Sequence, residues 1–363
     1  MKYRLMDVLR CHCGKTALSL ENPTVEKVRF DHSLDEIKCR YVCGKKDKAV
    51  GEADLTPADC AECYAMEIKA GQLACECGEK YPIVKGIPRF IPAILREDLQ
   101  KIQKTFSYEW KMFRFGDRNW GQDIEFRKSL FLQGMQASAG DLAGKLILDA
   151  GCGSGLLSME MANSFKMEVV ALDLAFGIEQ AYAHNTNPFV HFIQGSVLDL
   201  PFRSRYFDLL YCAGVLVALP DTRLGFLSII EVLKKGGRCF IWVYHPIDRT
   251  YHPYDRRKMA MYNWIRINVT SKLPIKWQYY IFLSFIPGFL LKQQIEYLSG
   301  NRPDKLKVRE KLQSLFDFYS PVYQNRHTFE EVVGWFEKEG FNDIKISDVG
   351  SCGFGVKGDL ANL

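Results

Sequence analysis

The chain predicts an α/β fold, a parallel sheet with helices on both faces, behind a small cysteine-rich first unit. Three observations carry this. From residue 144 onward, strand-like runs near 145–149, 168–172, 190–194, 207–211 and 237–244 alternate with helical patterns near 155–164, 176–185 and 222–234, the order expected of a parallel sheet. The first run, Leu146-Ile147-Leu148-Asp149-Ala150, ends in an acid and enters Gly151-Cys152-Gly153-Ser154-Gly155 before Leu156, Leu157, Met159, Met161 and Ala162 follow at helical spacing. It reads as buried strand, tight turn and helix. Finally, eight of the twelve cysteines precede residue 78.

The 363 residues suffice for more than one domain and a sizeable core. Apolar content of 47% and charged content of 25% are ordinary for a soluble globular protein. The net charge of +5 does not by itself call for nucleic acid. The opening Met1-Lys2-Tyr3-Arg4-Leu5-Met6-Asp7 lacks the apolar core of a signal peptide. The apolar stretch near 277–291 is shorter than a membrane span and is broken by Pro287-Gly288. A cytoplasmic location is expected, with peripheral membrane contact as an option, and there clustered cysteines point to metal more than to disulfides.

Residues 1–92 form the first unit. Cys11-His12-Cys13-Gly14 and Cys75-Glu76-Cys77-Gly78 can supply four thiolates to one tetrahedral zinc, although the usual ribbon spacing is Cys-x-x-Cys. A glycine after each pair permits a tight turn with amides facing the sulfurs. His12 is expected to be exposed rather than a ligand. Cys39, Cys43, Cys60 and Cys63, at spacings x3 and x2, would fit a second zinc; the alternative is free buried thiols or a staple of an insertion. The segment Tyr81-Pro82-Ile83-Val84-Lys85-Gly86-Ile87-Pro88-Arg89-Phe90 resembles the end of the Trm112-like zinc-ribbon domains. Those domains stand alone as methyltransferase activators or are fused ahead of a methyltransferase. Residues 22–70 fit that pattern poorly and read as an insertion.

Residues 93–140 read as a linker with leading helices. Phe106-Ser107-Tyr108-Glu109-Trp110-Lys111 and Trp120 form an aromatic cluster, placed either to close over a cofactor or simply to pack a leading helix.

Residues 141–363 form the main domain. A dinucleotide fold would space its glycines G-x-G-x-x-G; here the third glycine comes one residue early and Asp149 stands just before the turn. Asp149-Ala150-Gly151-Cys152-Gly153-Ser154-Gly155 resembles motif I of the class I S-adenosylmethionine-dependent methyltransferases, UbiE-like in type, which implies a Rossmann-like, seven-stranded methyltransferase sheet. In that family the acid contacts the amino-acid end of a cationic cofactor. Asp173, ending the second strand about 20 residues beyond the turn, suits the ribose hydroxyls, with Leu174 beside it; a helix N-cap is the alternative. Where the family shows Gly-Asp-x-x-x-Leu-Pro-Phe, this chain has Gly195-Ser196-Val197-Leu198-Asp199-Leu200-Pro201-Phe202. Ser196 stands at the adenine-binding acid, Val197 N–H could address a ring nitrogen, and Asp199 could compensate from three residues on. Cys212, ending the fourth strand, reads as a small residue of the pocket wall. The cofactor set is therefore Asp149, Ala150, Gly151, Cys152, Gly153, Gly155, Asp173, Leu174, Ser196, Val197 and Cys212, and the backbone around the three glycines is expected to leave room for the ligand.

Residues 245–327 interrupt the expected order and are too long for a plain loop, so they read as a helical cap over the carboxyl ends of the strands. Between Arg249 and Lys311 lie thirteen basic and four acidic residues, interleaved with Trp264, Trp277, Tyr279, Tyr280, Phe282 and Phe285. This suits a membrane surface or lipid-linked substrate, or single-stranded RNA, or a buried helix with a solvated basic face. After the cap, 341–348 and 351–357 are expected as an antiparallel strand pair. Candidates for a general base are His245, Tyr319, Tyr323 and His327. The leading reading is an S-adenosylmethionine-dependent methyltransferase acting on a small-molecule or lipid-linked acceptor. The others are an RNA methyltransferase gripping RNA with its zinc ribbon, and a non-catalytic cofactor-binding or scaffold protein.

Overall fold

The computed structural model describes residues 1–363 except 15, 33, 53, 93–94, 113, 115–116, 120, 248–252, 301–306, 348–351 and 363. Trp120 lies outside the described residues. The first unit comprises α1 (Leu5–Val8), β1 (Ser19–Lys27), β2 (Val42–Cys43), β3 (Lys48–Ala49), α2 (Pro57–Tyr64), β4 (Met66–Ala74), β5 (Lys80–Val84) and β6 (Ile87–Phe90). The leading helices are α3 (Glu97–Met112), α4 (Ile124–Met135) and α5 (Ala139–Leu142).

Strand and helix then alternate through β7 (Leu146–Ala150), α6 (Leu156–Phe165), β8 (Glu168–Asp173), α7 (Gly177–His184), β9 (Val190–Gly195), β10 (Phe207–Ala213), α8 (Thr222–Ile230) and β11 (Leu233–Tyr244). The cap contains α9 (Pro253–Asn268), α10 (Ile275–Ser284), α11 (Ile286–Leu298) and α12 (Val308–Tyr319). The chain closes with α13 (Phe329–Lys338), β12 (Phe341–Ser347) and β13 (Gly353–Leu360), the expected antiparallel pair.

One sheet of eleven strands runs in the order β1-β4-β5-β6-β9-β8-β7-β10-β11-β13-β12, and β2-β3 form a separate hairpin. The expectation of seven strands is corrected. Seven come from residues 146–360, and four strands of the first unit extend the same sheet through the parallel pairs Arg89↔Gln194 and Phe90↔Gly195. An unpaired β9 edge would leave a row of free N–H and C=O groups, and β6 takes them up. The α8 helix and β11 strand are also corrected. The helix stops at Ile230, and the strand already pairs at Phe207↔Leu233 before a register shift to Leu209↔Arg238.

Parallel strands covered on both faces are apolar on both. Leu146, Leu148 and Ala150 join one core with Phe226, Ile229, Val332 and Phe336. The alternate residue Ile147 joins the other with Phe131, Met161 and Ile178. The cap has its own small core of Phe282, Ile286, Leu312 and Phe316, onto which Tyr108 and Met112 of α3 pack.

A buried polar network welds the first unit to the main domain. The Arg4 guanidinium meets Glu168 at 3.1 Å, Asp7 at 3.2 Å and the Tyr206 hydroxyl at 2.9 Å. The Tyr64 hydroxyl donates to Glu168 at 2.6 Å, and His191 Nε2 sits 3.1 Å from the same carboxylate. His12 is corrected from exposed to partly buried: its ring lies against Tyr81 and Phe90, and Nδ1 is 3.0 Å from Asp199. Asp199 thus contacts the first unit at the junction.

Candidate active site

The glycine turn has the backbone that only glycine adopts cheaply, with φ of +100°, +56° and +70° at Gly151, Gly153 and Gly155. Gly151 and Cys152 N–H both donate to Leu172 O, at 2.7 and 3.0 Å, which ties the turn to the end of β8. From β8, Asp173 accepts from Gly153 N–H and from Ala175 N–H, both at 2.7 Å. Asp149, in register with Tyr211 of β10, is buried and accepts from Ser158 Oγ at 2.5 Å. Two carboxylates on adjacent parallel strands therefore flank the turn.

Open room over the glycines is not what the chain shows. A side chain at Gly151 would strike Val215, one at Gly153 would strike the Trp110 indole, and one at Gly155 would strike Ala181 and Phe192. Absent Cβ atoms let neighbouring side chains, above all Trp110 of α3, close down on the turn. The helix is held there at three levels: Gln103 donates to Leu174 O at 3.1 Å, Ser107 Oγ accepts from Phe176 N–H at 3.0 Å, and Trp110 packs on Gly153 and Gly177. A cleft of about 730 Å³ opens on the outer side of Trp110, bordered by Ser107, Phe176, Gly177 and Ile275 of the cap.

Under α3 lies a group of acids whose role is not legible from motif spacing. Glu109 is fully buried, and neither carboxylate oxygen has a hydrogen-bond partner among the described residues; the facing Gln313 amide does not reach hydrogen-bond geometry. Burial, then the nearby Asp317 and Asp173 charges, push the Glu109 carboxyl well above its usual range. Burial pushes Asp317, on α12, up to about 7. At Asp149 burial outweighs the Ser158 bond and the Arg127 charge, and the carboxyl rises to about 6. Burial also raises Asp173, against three backbone N–H bonds. Among the described residues, acids from α3, α12, β7 and β8 thus gather in one neighbourhood with Arg127 and Arg326 nearby, an arrangement suited to a cationic ligand. In the sequence, Glu109 sits between Tyr108 and Trp110, and Asp317 opens the run Asp-Phe-Tyr-Ser-Pro at the end of the cap.

The remaining cofactor candidates fall as follows. Ala150 and Cys152 are buried beside the turn, and Leu174 lends its carbonyl to Gln103 and Gln194. Ser196 Oγ accepts from Leu198 N–H at 3.2 Å and closes a local bridge with Asp199, while Val197 is buried in the main core. Cys212 is buried, its thiol raised by burial and by Asp149.

The four general-base candidates do not share one cluster. The His245 ring is wedged between Phe329 and Phe354, and the His245 backbone N–H donates to Cys352 O at 3.1 Å. His327 bonds Thr222 Oγ1 at 2.9 Å and pairs with Glu331. Tyr319 packs among Tyr262, Phe282 and Phe318, and Tyr323 packs against Leu95, Leu99 and Ile102.

In the first unit, the Sγ atoms of Cys11, Cys13, Cys75 and Cys77 all lie within 4.8 Å of one another. The Cys11–Cys77 and Cys13–Cys75 separations are both 3.6 Å, against about 3.8 Å for thiolates around a tetrahedral zinc at ~2.3 Å. Tyr81 OH at 3.2 Å from Cys11 and Thr16 Oγ1 at 3.0 Å from Cys75 form an outer shell. No three of the sulfurs of Cys39, Cys43, Cys60 and Cys63 come within that distance of one another.

Comparison with known proteins adds the following. Residues 148–241 match the family model described as a methyltransferase domain. The chain is 34% identical over 105 residues to a ubiquinone biosynthesis O-methyltransferase of Xanthomonas oryzae pv. oryzae, spanning 28% of this chain and 44% of that one. It is 33% identical over 117 residues to a malonyl-[acyl-carrier protein] O-methyltransferase of Hahella chejuensis, spanning 30% of this chain and 42% of the relative. The chain thus spans less than half the length of these two relatives. A solved magnesium protoporphyrin IX methyltransferase of Synechocystis PCC 6803 with bound SAH covers 73% of this chain and 100% of its own, at 13% identity and a TM-score of 0.44, a likeness too low to carry an argument. Among the described residues no helix is long and apolar enough to cross a membrane. The matched segment runs from within β7 into β11, and over it the chain resembles a methyltransferase domain.

Proposed function

We propose that the protein transfers a methyl group from S-adenosylmethionine to an acceptor carried in, or presented from, a lipid surface. The observation that carries the cofactor half is the pair Asp149 and Asp173 flanking the glycine turn, with the buried Glu109 of α3, which lacks a hydrogen-bond partner among the described residues, within electrostatic reach of Asp173 and Asp317. The cofactor, a sulfonium with an α-ammonium group, supplies an already activated methyl group. Asp149 would hold the ammonium end and Asp173 the ribose. Since the donor is activated, positioning supplies most of the barrier reduction. Asp317, poised near neutrality, can take a proton from a hydroxyl acceptor. Helix α3 is the element that must lift to admit the ligand, because Trp110 occupies the space over Gly153.

The cap supports the acceptor half, because beside its small apolar core it also carries large apolar side chains on its outer face. Its inward positions include the polar Arg266, Gln278 and Gln293. Its outward positions include Trp264, Trp277, Tyr280, Phe285, Leu291 and Leu298, all more than 60% exposed. Arg256, Arg257, Lys258, Lys272, Lys276 and Lys292 are exposed alongside, and Glu296 is the single acid between residues 256 and 298. Exposed tryptophan and tyrosine rimmed by lysine and arginine match the boundary of an anionic bilayer. The first four cysteines would hold one zinc that braces the first unit against the sheet.

Two experiments test this reading. Isothermal titration with S-adenosylmethionine is expected to show binding that Asp173→Asn weakens at least tenfold; no binding by the unaltered protein, folded by circular dichroism, would leave a scaffold. Methyl transfer from labelled cofactor is expected with extracted lipids. Transfer to RNA and not to lipid would replace this acceptor with RNA.

A further inference from the structure

We infer that Cys39, Cys43, Cys60 and Cys63 form a second structural metal site, for zinc or a similar thiophilic divalent cation, which folds the insertion and clamps it to the junction between the two units. The inference starts from what the insertion lacks. Among the described residues from 22 to 70, the buried side chains are those four cysteines with Tyr64, Glu67 and Ile68, of which Ile68 belongs to the main core, Tyr64 reaches Glu168 and Glu67 pairs with the Met1 ammonium. A segment this long has no hydrophobic core of its own, and small units in that position rely on disulfides or metals. All four cysteines are unbridged.

The local fold delivers the thiols in two pairs. Cys39 and Cys43 flank the entry to the β2–β3 hairpin. Gly44 follows, packed so closely on Tyr3 and Met6 that a Cβ would lie 2.5 Å from the Tyr3 carbonyl oxygen. Cys60 and Cys63 stand one turn apart on α2, whose start is fixed by Pro57 and a reciprocal Thr56–Asp59 capping box. Residues i and i+3 share a helix face, so both thiols can address one ion. Cys63 lies within electrostatic reach of Cys43 and Cys60, and Cys39 within reach of Cys43 and Cys63. Ion pairs of Lys45 with Glu62, and of Lys46 with Asp59 at 2.9 Å, hold the hairpin against α2. No three of the four sulfurs lie within 4.8 Å of one another, as all of the first four do, and an ion would draw them together.

The surroundings suit a site of net negative charge. Four thiolates on a divalent ion carry two excess charges. The Arg4 guanidinium is near Cys39 and Cys63, the Arg4 backbone N–H is directed at the Cys63 sulfur, and Lys46 is near Cys43. The same stretch grips the junction. Asp7 accepts from the N–H groups of Arg40, Tyr41 and Val42 at 2.6–3.0 Å, Arg40 pairs with Asp208 at 3.0 Å, and Tyr64 reaches Glu168. Binding replaces four thiol protons by the ion and needs no oxidant.

Native mass spectrometry of the full chain, purified under a phosphine reductant with added zinc, is expected to count two ions. Cys60→Ser/Cys63→Ser should retain one, Cys75→Ser/Cys77→Ser should retain one, and the fourfold variant none. Should a variant fail to fold, thiol alkylation of the unaltered chain decides. Cys39, Cys43, Cys60 and Cys63 should be protected as loaded and become reactive once chelator removes the second ion. A count of one ion that Cys60→Ser/Cys63→Ser leaves intact, or alkylation of these four thiols in the loaded protein, would overturn the proposal.

Discussion

Burial holds Asp149 near 6 and Asp317 near 7 in the unliganded protein, so part of this acid group carries protons just below neutrality. A folded-state pKa above the unfolded value means that the stability these two groups contribute is full below their unfolded values near 4 and is lost as pH rises through about 6 and 7. A bound cation reverses the preference by favouring the ionised forms. S-adenosylmethionine should therefore raise the melting temperature more at pH 8 than at pH 5.5, and titration calorimetry at pH 6.5 in buffers of different ionisation enthalpy should report proton release. Asp317→Asn should reduce that release while leaving the fold intact. At Gly153, alanine would meet both a left-handed backbone, costing about 1–2 kcal/mol, and the Trp110 ring. Denaturant unfolding of Gly153→Ala should show a loss of that size or more, and cofactor binding should weaken with it.

At the scale of elements, the β7 turn, the five parallel strands and the closing antiparallel pair were legible because each is a buried apolar run punctuated by glycine or acid. What the first unit does with its strands was not legible. A strand such as Ile87-Pro88-Arg89-Phe90 carries no mark of which edge it will join, since pairing to β9 depends on backbone groups that every residue shares. The acids Glu109 and Asp317 were hidden for a related reason. They lie on helices more than 200 residues apart in sequence, and neither gains its meaning until α3 and α12 pack. Ser196 and Asp199 were weighed as nucleotide contacts from the family pattern they stand in, and the local bond of Ser196 to Leu198 and the pairing of Asp199 with His12 had no signal in that pattern. For the cap, spacing gave the helices but not their orientation. Trp277→Ala/Phe285→Ala should weaken co-sedimentation with anionic phospholipid vesicles about tenfold, with little change in zwitterionic vesicles or in cofactor affinity. Equal sedimentation by variant and parent would remove the cap from membrane contact.

Across the whole molecule, the junction around Glu168 decides whether the two units act as one. Burial alone would raise this carboxyl, but the Arg4 guanidinium and His191 overcome it and hold it well below the usual range. The stability it contributes is therefore present at neutral pH and falls away as pH drops below about 4. Arg4→Met leaves Glu168 buried without its cation, a change that costs about 3–5 kcal/mol in comparable pairs. Chemical unfolding at pH 7 should show a loss of that order, and a smaller one at pH 3.5, where the unfolded carboxyl is already protonated and the paired one is not.

The shared sheet also sets an order of events during synthesis. Strand β6 leaves the ribosome about a hundred residues ahead of β9, the edge it will occupy, and Arg4 leaves still further ahead of Glu168. The emerging segment must wait with its apolar strands uncovered, a state prone to aggregation. Ions captured by cysteines before residue 78 would hold it in shape during that interval, so zinc starvation should reduce the soluble yield of newly made chains more than it harms protein already folded.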